Sequence, residues 1–470
     1  MQVLKKISSV LLCLGLAACA SSSPKIEARG GIDDMSSEYS EITLSGSKSF
    51  RAGVLLPLTG NAAKYGQGLR NATLLALDDI KNSNLILQFY DTKSTPEGAR
   101  TAIENAINQK ADVIIGPLTS SSVQAISPQT TSRNIPVIAF STSEDVLEPQ
   151  VYTLGLLTSE QVDRIITYAV REGRSRLALL LPDNPTGIAV AKAAAKSAMK
   201  NNIRITKIGF YQPNTSDFSE ILKQMTNFYS RNAQLLSQKK QLEALAAQGD
   251  TDAARQLRTM SDRDAAGDVN FDMVLIPESG PKLKSAISMF GYYDVYAPKV
   301  KFLGTSIWEN SNLNNESIVI GSWYPVLSRS HSSYFANKYT STFGERPSTL
   351  YSLAYDAVAL TNALANNPGS DLNGLITNPD GYVGINGVFR LFADGHNQHS
   401  LDIMEVTKNG DVIVDAAPKK FGLEETSYSD GVVSNSFEMP EIYGKDKSIA
   451  QSLIFGHLYS GNASENVYQY

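Results

Sequence analysis

Short apolar runs alternate with helical segments from residue 51 onward, and the alternation starts afresh near residue 162. That double series constrains the fold more than any other feature of the chain. Residues 51–56 (RAGVLL), 85–90, 112–116 (DVIIG) and 136–140 (PVIAF) read as strands, with helices over about 66–81, from about Pro96, and near 123–133. A second set follows: helices at 162–172 and 187–199, and strands at 177–181, 203–211, 271–277 (FDMVLIP) and 300–304, with a helix near 283–290 before the last. Strands that are apolar on both faces and separated by helices call for a parallel sheet covered on both sides. Two such series predict two doubly wound lobes rather than one oversized sheet.

The second series is interrupted at residues 227–268. Phe228, Leu235 and Leu242 recur every seven residues with Leu245 and Ala246 on the same side, Gly249-Asp250 breaks the run, and Ala253, Ala254, Leu257 and Met260 resume it. The pattern predicts a helical hairpin, with Arg231, Lys239, Lys240, Arg255 and Arg258 spread over its other faces. After a long helix around 349–364, Asp394-Gly395 and Asn409-Gly410 each sit between apolar runs, a strong hairpin signal. Beyond Pro418 the chain is polar and weakly periodic, which reads as a partly ordered tail.

At the other end, Lys5 and Lys6 precede an apolar stretch of signal-peptide length, closed by Leu16-Ala17-Ala18-Cys19. Small residues before a cysteine at that point resemble the lipobox of bacterial lipoproteins. The resemblance implies cleavage after residue 18 and lipidation of Cys19, and Ala20 then implies the outer membrane. Residues 20–47 are rich in Ser and Gly and read as a flexible tether. The other cysteine, Cys13, lies in the leader, so no disulfide and no catalytic thiol is expected in the mature chain. A net charge of −5 gives no reason to expect nucleic acid as a partner. Only four histidines occur, which thins the supply of general bases and zinc ligands.

In a doubly wound sheet, ligands sit beyond the carboxyl ends of the strands. Three such ends in the first series carry hydroxyls: Thr59, then Ser120 and Ser121, then Ser141, Thr142 and Ser143. Hydroxyls beside free helix N–H groups can hold a carboxylate or a neutral polar group, and the same side chains serve as helix caps. Asp183, in the turn PDNPTG, ends a strand of the second series and could supply a polar contact or only the turn. The segment Gly66-Gln67-Gly68 comes close to a dinucleotide fingerprint but lacks the third glycine and reads as a helix start. The chain contains no P-loop, no G-x-S-x-G elbow and no H-E-x-x-H, so neither enzyme activity nor a cofactor or metal is expected.

Residues 52–60 (AGVLLPLTG), 114–122 (IIGPLTSSS), 136–143 (PVIAFSTS) and 353–358 (LAYDAV) together resemble type I periplasmic binding proteins of the leucine/isoleucine/valine-binding class. Residues 213–219 (PNTSDFS), the helical insertion and 304–308 (GTSIW) are similar to lipoproteins called penicillin-binding protein activators. The resemblance implies an α/β fold of two doubly wound parallel-sheet lobes joined by three hinge crossovers, near residues 152–156, 321–325 and 381–384. It divides the chain into a leader (1–18), tether (19–47), first lobe (48–154 and 324–382), second lobe (155–323 and 383–418) and tail (419–470).

Amino-acid-binding members hold the ligand carboxylate with groups that match the regions of Ser120, Ser121, Ser141 and Ser143. They grip the ammonium with an acid where this chain has Ser306. A buried ammonium without a carboxylate partner loses on the order of 2–5 kcal/mol, unless Glu278 or Glu309 takes that place. The function this implies is a non-enzymatic envelope lipoprotein, anchored to the membrane by lipid, that activates a penicillin-binding protein (a peptidoglycan synthase). The alternative is a solute-binding lipoprotein that delivers a small polar or amino-acid-like ligand to an ABC importer permease.

Overall fold

The computed structural model describes residues 49–261, 263–328, 332–367, 369–422 and 439–459. The leader, Cys19 and the tether lie outside them. No described helix is long and apolar enough to cross a membrane.

The first series folds into a five-stranded, all-parallel sheet. Its order is Leu85–Asp91, Phe50–Leu56, Val113–Ile115, Val137–Ala139, Val151–Thr153. Alternate residues of one strand feed opposite cores, as a pleated strand requires. Val54 and Leu56 pack with the helices Ala63–Ile80 and Thr349–Ala365, while Leu55 packs with Pro96–Asn108 and Ser120–Thr131. Gly66 and Gly68 are explained by this packing. A Cβ on Gly66 would lie 2.1 Å from the Pro57 carbonyl oxygen, and one on Gly68 would lie 2.0 Å from the Tyr351 ring. The two glycines let a helix approach its neighbours.

The second series forms an eight-stranded sheet. Its order is Val412–Asp415, Leu401–Glu405, Trp323–Leu327, Lys301–Leu303, Met273–Leu275, Arg176–Pro182, Arg204–Tyr211, Glu441–Tyr443. It is parallel except at Leu401–Glu405, which runs antiparallel to both neighbours. Leu177, Leu179 and Leu181 face one core, with Thr158–Arg171 and Pro185–Lys200; Ala178 and Leu180 face the other, with Ser219–Met225 and Gly280–Tyr292. Both expected hairpins form, the first within a separate three-stranded sheet of Tyr382–Gly384, Gly387–Leu391 and Asn397–His399.

Two crossings fall later than the sequence suggests. Trp323–Leu327 pairs within the second sheet, so the second crossing follows Leu327 rather than lying at 321–325. Ile385, Phe389 and Leu391 pack into the first lobe's core, and the chain reaches the second sheet only at Leu401. Residues 383–399 therefore belong with the first lobe. An apolar alternating strand shows that one of its faces is buried, but not which sheet buries it. The stretch beyond 418 also carries more than a tail. Glu441–Tyr443 adds a parallel strand to the sheet edge, and Ala450, Ile454 and Phe455 of Lys447–Tyr459 join the second lobe's core.

The insertion is a hairpin of Phe228–Ala247 and Thr251–Thr259, turned at Gly249 with φ +95°. Arg231 departs from the expected solvated face. It is buried, and its guanidinium donates to the carbonyls of Thr226, Ala266, Gly267 and Tyr293, pinning the hairpin's base. Leu235 is buried at that base, whereas Leu236 and Leu245 are exposed.

Candidate ligand cleft

Strands Phe50–Leu56, Val113–Ile115 and Val137–Ala139 are neighbours, so the turns that follow them lie side by side at one rim of the first sheet. Asp91, at the end of the adjoining strand, locks the first turn. Its carboxylate accepts from the backbone N–H of Leu58 (2.9 Å), Thr59 (3.2 Å) and Lys93 (2.8 Å) and from the Thr59 hydroxyl (2.6 Å). Burial works to raise the Asp91 pKa, but these hydrogen bonds outweigh it and hold the carboxyl below its ordinary value. The Thr59 hydroxyl is thus spent on the turn.

Farther along the rim, the Ser120 and Ser141 hydroxyls are 3.0 Å apart. The Ser143 N–H donates to Ser141 Oγ (3.2 Å), and the Ser143 hydroxyl caps the Asp145 N–H (3.3 Å). Thr119 caps Ser120–Thr131 through the Ser122 N–H. Ser121 and Thr142 are exposed, and the Ser121 hydroxyl lies 3.4 Å from that of the capping Thr119. The structure therefore pairs the Ser120 and Ser141 hydroxyls, with the Ser143 N–H bound to Ser141 and the Ser143 hydroxyl turned to Asp145, and Ser121 and Thr142 exposed beside them.

In the second lobe, Asp183, Glu278 and Ser306 follow three neighbouring strands, Arg176–Pro182, Met273–Leu275 and Lys301–Leu303. None presents a free acid. Asp183 is held by the Lys445 ammonium at 2.6 Å. Glu278 accepts from the Tyr211 hydroxyl (2.8 Å) and pairs with Lys282 (3.1 Å), which also donates to the Pro213 carbonyl (2.6 Å). Burial, then the Glu278 hydrogen bond and charge, push the Tyr211 phenol far up, so it remains a proton donor. Ser306 has no carboxylate to offer, and its backbone N–H is bound by the Gln161 side chain at 2.9 Å. Glu309 has an interaction partner of its own.

Lys282 and Lys445 were not legible as site residues. Lys282 is an ordinary first-turn lysine in sequence, and Lys445 follows a three-residue strand too short to show periodicity. Among the described residues no group of three or more His, Cys, Asp or Glu side chains could hold a metal. An open groove of about 430 Å³ lies elsewhere, lined by Tyr292, Tyr296, Ser288 and Ser317. Tyr292 ends the helix Gly280–Tyr292, about 15 Å from Lys282 in its first turn at 1.5 Å per residue.

The two lobes share the α/β fold of solved periplasmic binding proteins. Residues 49–236 match the family model for periplasmic binding proteins. A protein of Rhodospirillum rubrum assigned to branched-chain amino acid ABC transport has the same fold, with TM-score 0.62 and 15% identity over 78% of this chain and 100% of its own. The branched-chain amino acid binding protein LivJ of Streptococcus pneumoniae, in complex with isoleucine, gives TM-score 0.51 and 17% identity over 79% and 100%. A solute-binding protein of R. palustris, in complex with benzoate, gives 0.53 and 14% over 80% and 98%. An uncharacterized protein of Rickettsia prowazekii (strain Madrid E) is 22% identical over 192 residues, 41% of this chain. The chain spans about half the length of that curated relative.

Proposed function

We propose that this chain is a non-enzymatic solute-binding protein that closes its two lobes on a small carboxylate lacking a free ammonium group and presents it to an ABC importer. The observation that carries the reading is the pairing of the second lobe's acids. Asp183 and Glu278 already have lysine partners, whereas the first lobe gathers hydroxyl donors around Ser120 and Ser141. A ligand carboxylate can replace water on those donors. A ligand ammonium would have to displace Lys282 or Lys445, leaving a partly buried lysine without its charge-assisted bond. The fold's relatives include isoleucine-bound and benzoate-bound proteins, and the paired acids favour the second kind of ligand. Thermal-shift screening with leucine and 4-methylpentanoate, which differ in the ammonium alone, tests this: stabilisation by the acid and none by leucine is expected.

A second reading, a lipid-anchored activator of a peptidoglycan synthase at the outer membrane, is favoured by one observation. The hairpin exposes Leu236 and Leu245 beyond its pinned base, a surface that suits a protein partner. Deleting residues 233–263 should leave ligand-induced stabilisation intact under the solute reading, and should abolish synthase stimulation under the second.

A further inference from the structure

The three crossings between the lobes are tied to one another mainly by neutral groups. Asn397 donates to the carbonyls of Thr153 (2.7 Å) and Gly155 (2.8 Å), joining the third crossing to the first. The Ser328 N–H donates to the Ser400 carbonyl, joining the second to the third, and the Ser400 hydroxyl accepts from the Val388 N–H (2.9 Å). One tie is different. Glu160, in the first turn of Thr158–Arg171, accepts from the backbone N–H of His399 with one carboxylate oxygen. Its other oxygen lies 3.1 Å from His399 Nδ1. The side chains are 7% and 2% exposed, and His399 Nε2 has no hydrogen-bond partner among the described residues.

We propose that Glu160 and His399 form a proton-operated latch at the hinge: with the imidazole protonated, an ion pair clamps the first crossing to the third, and loss of that proton loosens the clamp. The geometry gives each state its consequence. A neutral imidazole that donates from Nδ1 keeps only a neutral-to-charged bond to Glu160 and buries an idle Nε2. An imidazolium makes a charge-assisted pair in a site shielded from water.

Asp356, fully buried on Thr349–Ala365, accepts from the Ile385 N–H (2.7 Å), and its charge is felt by His399. Of the other nearby charged groups, Arg164 donates to the Leu401 carbonyl and pairs with Asp415, Arg390 is engaged by Gln398, and Asp402 accepts from the Ala417 N–H. Glu160 is thus the acid in direct contact with the imidazole. Burial, the largest effect, raises the Asp356 pKa to about 7. The latch rests on the hinge geometry and not on what the cleft binds.

The test uses the full chain with ring-labelled histidine. Four histidines give four titration curves by NMR, and His399→Gln assigns the one that matters. Should that variant not fold, single replacements of His331, His396 and His457 assign it by elimination. The expected result is that Glu160→Gln, which keeps an acceptor but removes the charge, lowers the His399 midpoint by one unit or more. Protection of the crossing amides against hydrogen exchange, corrected for intrinsic rate, should fall at least tenfold between pH 5.5 and 8 in the wild type and stay level in Glu160→Gln. An unshifted His399 midpoint in Glu160→Gln, or crossing protection that is level with pH in the wild type, overturns the latch.

Discussion

Lys445, two residues beyond the strand Glu441–Tyr443, places its ammonium 2.6 Å from the Asp183 carboxylate at the rim of the second lobe. The pair is positioned by backbone close approach: a Cβ on Gly444 would lie 1.8 Å from the Phe210 carbonyl oxygen, and Gly444 adopts φ +73°. The C-terminal strand therefore completes the sheet, and the residue just beyond it pairs with the acid that follows Arg176–Pro182.

That strand is held by a buried cation. Lys207 is fully buried; it pairs with Glu441 at 2.6 Å and donates to the Tyr443 hydroxyl (3.0 Å) and Asn227 (3.1 Å). Glu441→Ala should destabilise the second lobe by about 1–3 kcal/mol, less than the roughly 3–5 kcal/mol for breaking a fully buried pair, because Glu441 itself is half exposed. Lys207→Met together with Glu441→Ala should recover part of that loss. Urea unfolding of the three variants checks both outcomes.

Asp356 sets a pH dependence whose sign can be worked out. Its folded pKa lies near 7, above the ordinary 3.8, with burial as the main cause. Between those values the folded state holds a proton that the unfolded state has lost, so this group's contribution to stability falls as pH rises through that window. Asp356→Asn should remove that slope, gaining in melting temperature relative to wild type at pH 8 and not at pH 4. Scanning calorimetry at the two values checks it.

Gly68 separates packing from nucleotide binding. Gly68→Ala drives a methyl into the Tyr351 ring and should cost at least about 1–3 kcal/mol, the range for overpacking a tight contact. Gly68→Ala with Tyr351→Leu should restore much of it. Equilibrium unfolding of the single and double variants reads the coupling.

The layered α/β plan was readable because each buried strand repeats the same apolar signal. Residues 51–56 and 177–181 carry it plainly, and both Asp-Gly and Asn-Gly turns formed as expected. Partner choice was not readable. Trp323–Leu327 has the same apolar look whichever sheet it joins, and Glu441–Tyr443 is too short to show a period. The first-lobe hydroxyls were visible as residues at strand ends, and the structure brings Ser120, Ser141 and Ser143 together. The second lobe's chemistry was hidden, because it depends on which lysine reaches which acid across 262 residues in one case and four in the other.

Arg231 gives an independent check on the hairpin. Arg231→Met removes donors to four carbonyls and should cost about 2–4 kcal/mol, in line with losing several charge-assisted bonds in a buried site. Hydrogen exchange should show faster opening confined to the base of the hairpin.

The most direct test of the central claim is the affinity of the purified full chain for leucine against 4-methylpentanoate by calorimetry, in the wild type and in Lys282→Gln. The paired acids predict at least tenfold tighter binding of 4-methylpentanoate by the wild type, and a shift toward leucine when Lys282 no longer occupies Glu278. Tighter binding of leucine by the wild type would contradict the paired-acid account while leaving solute capture standing; binding of neither compound would contradict both.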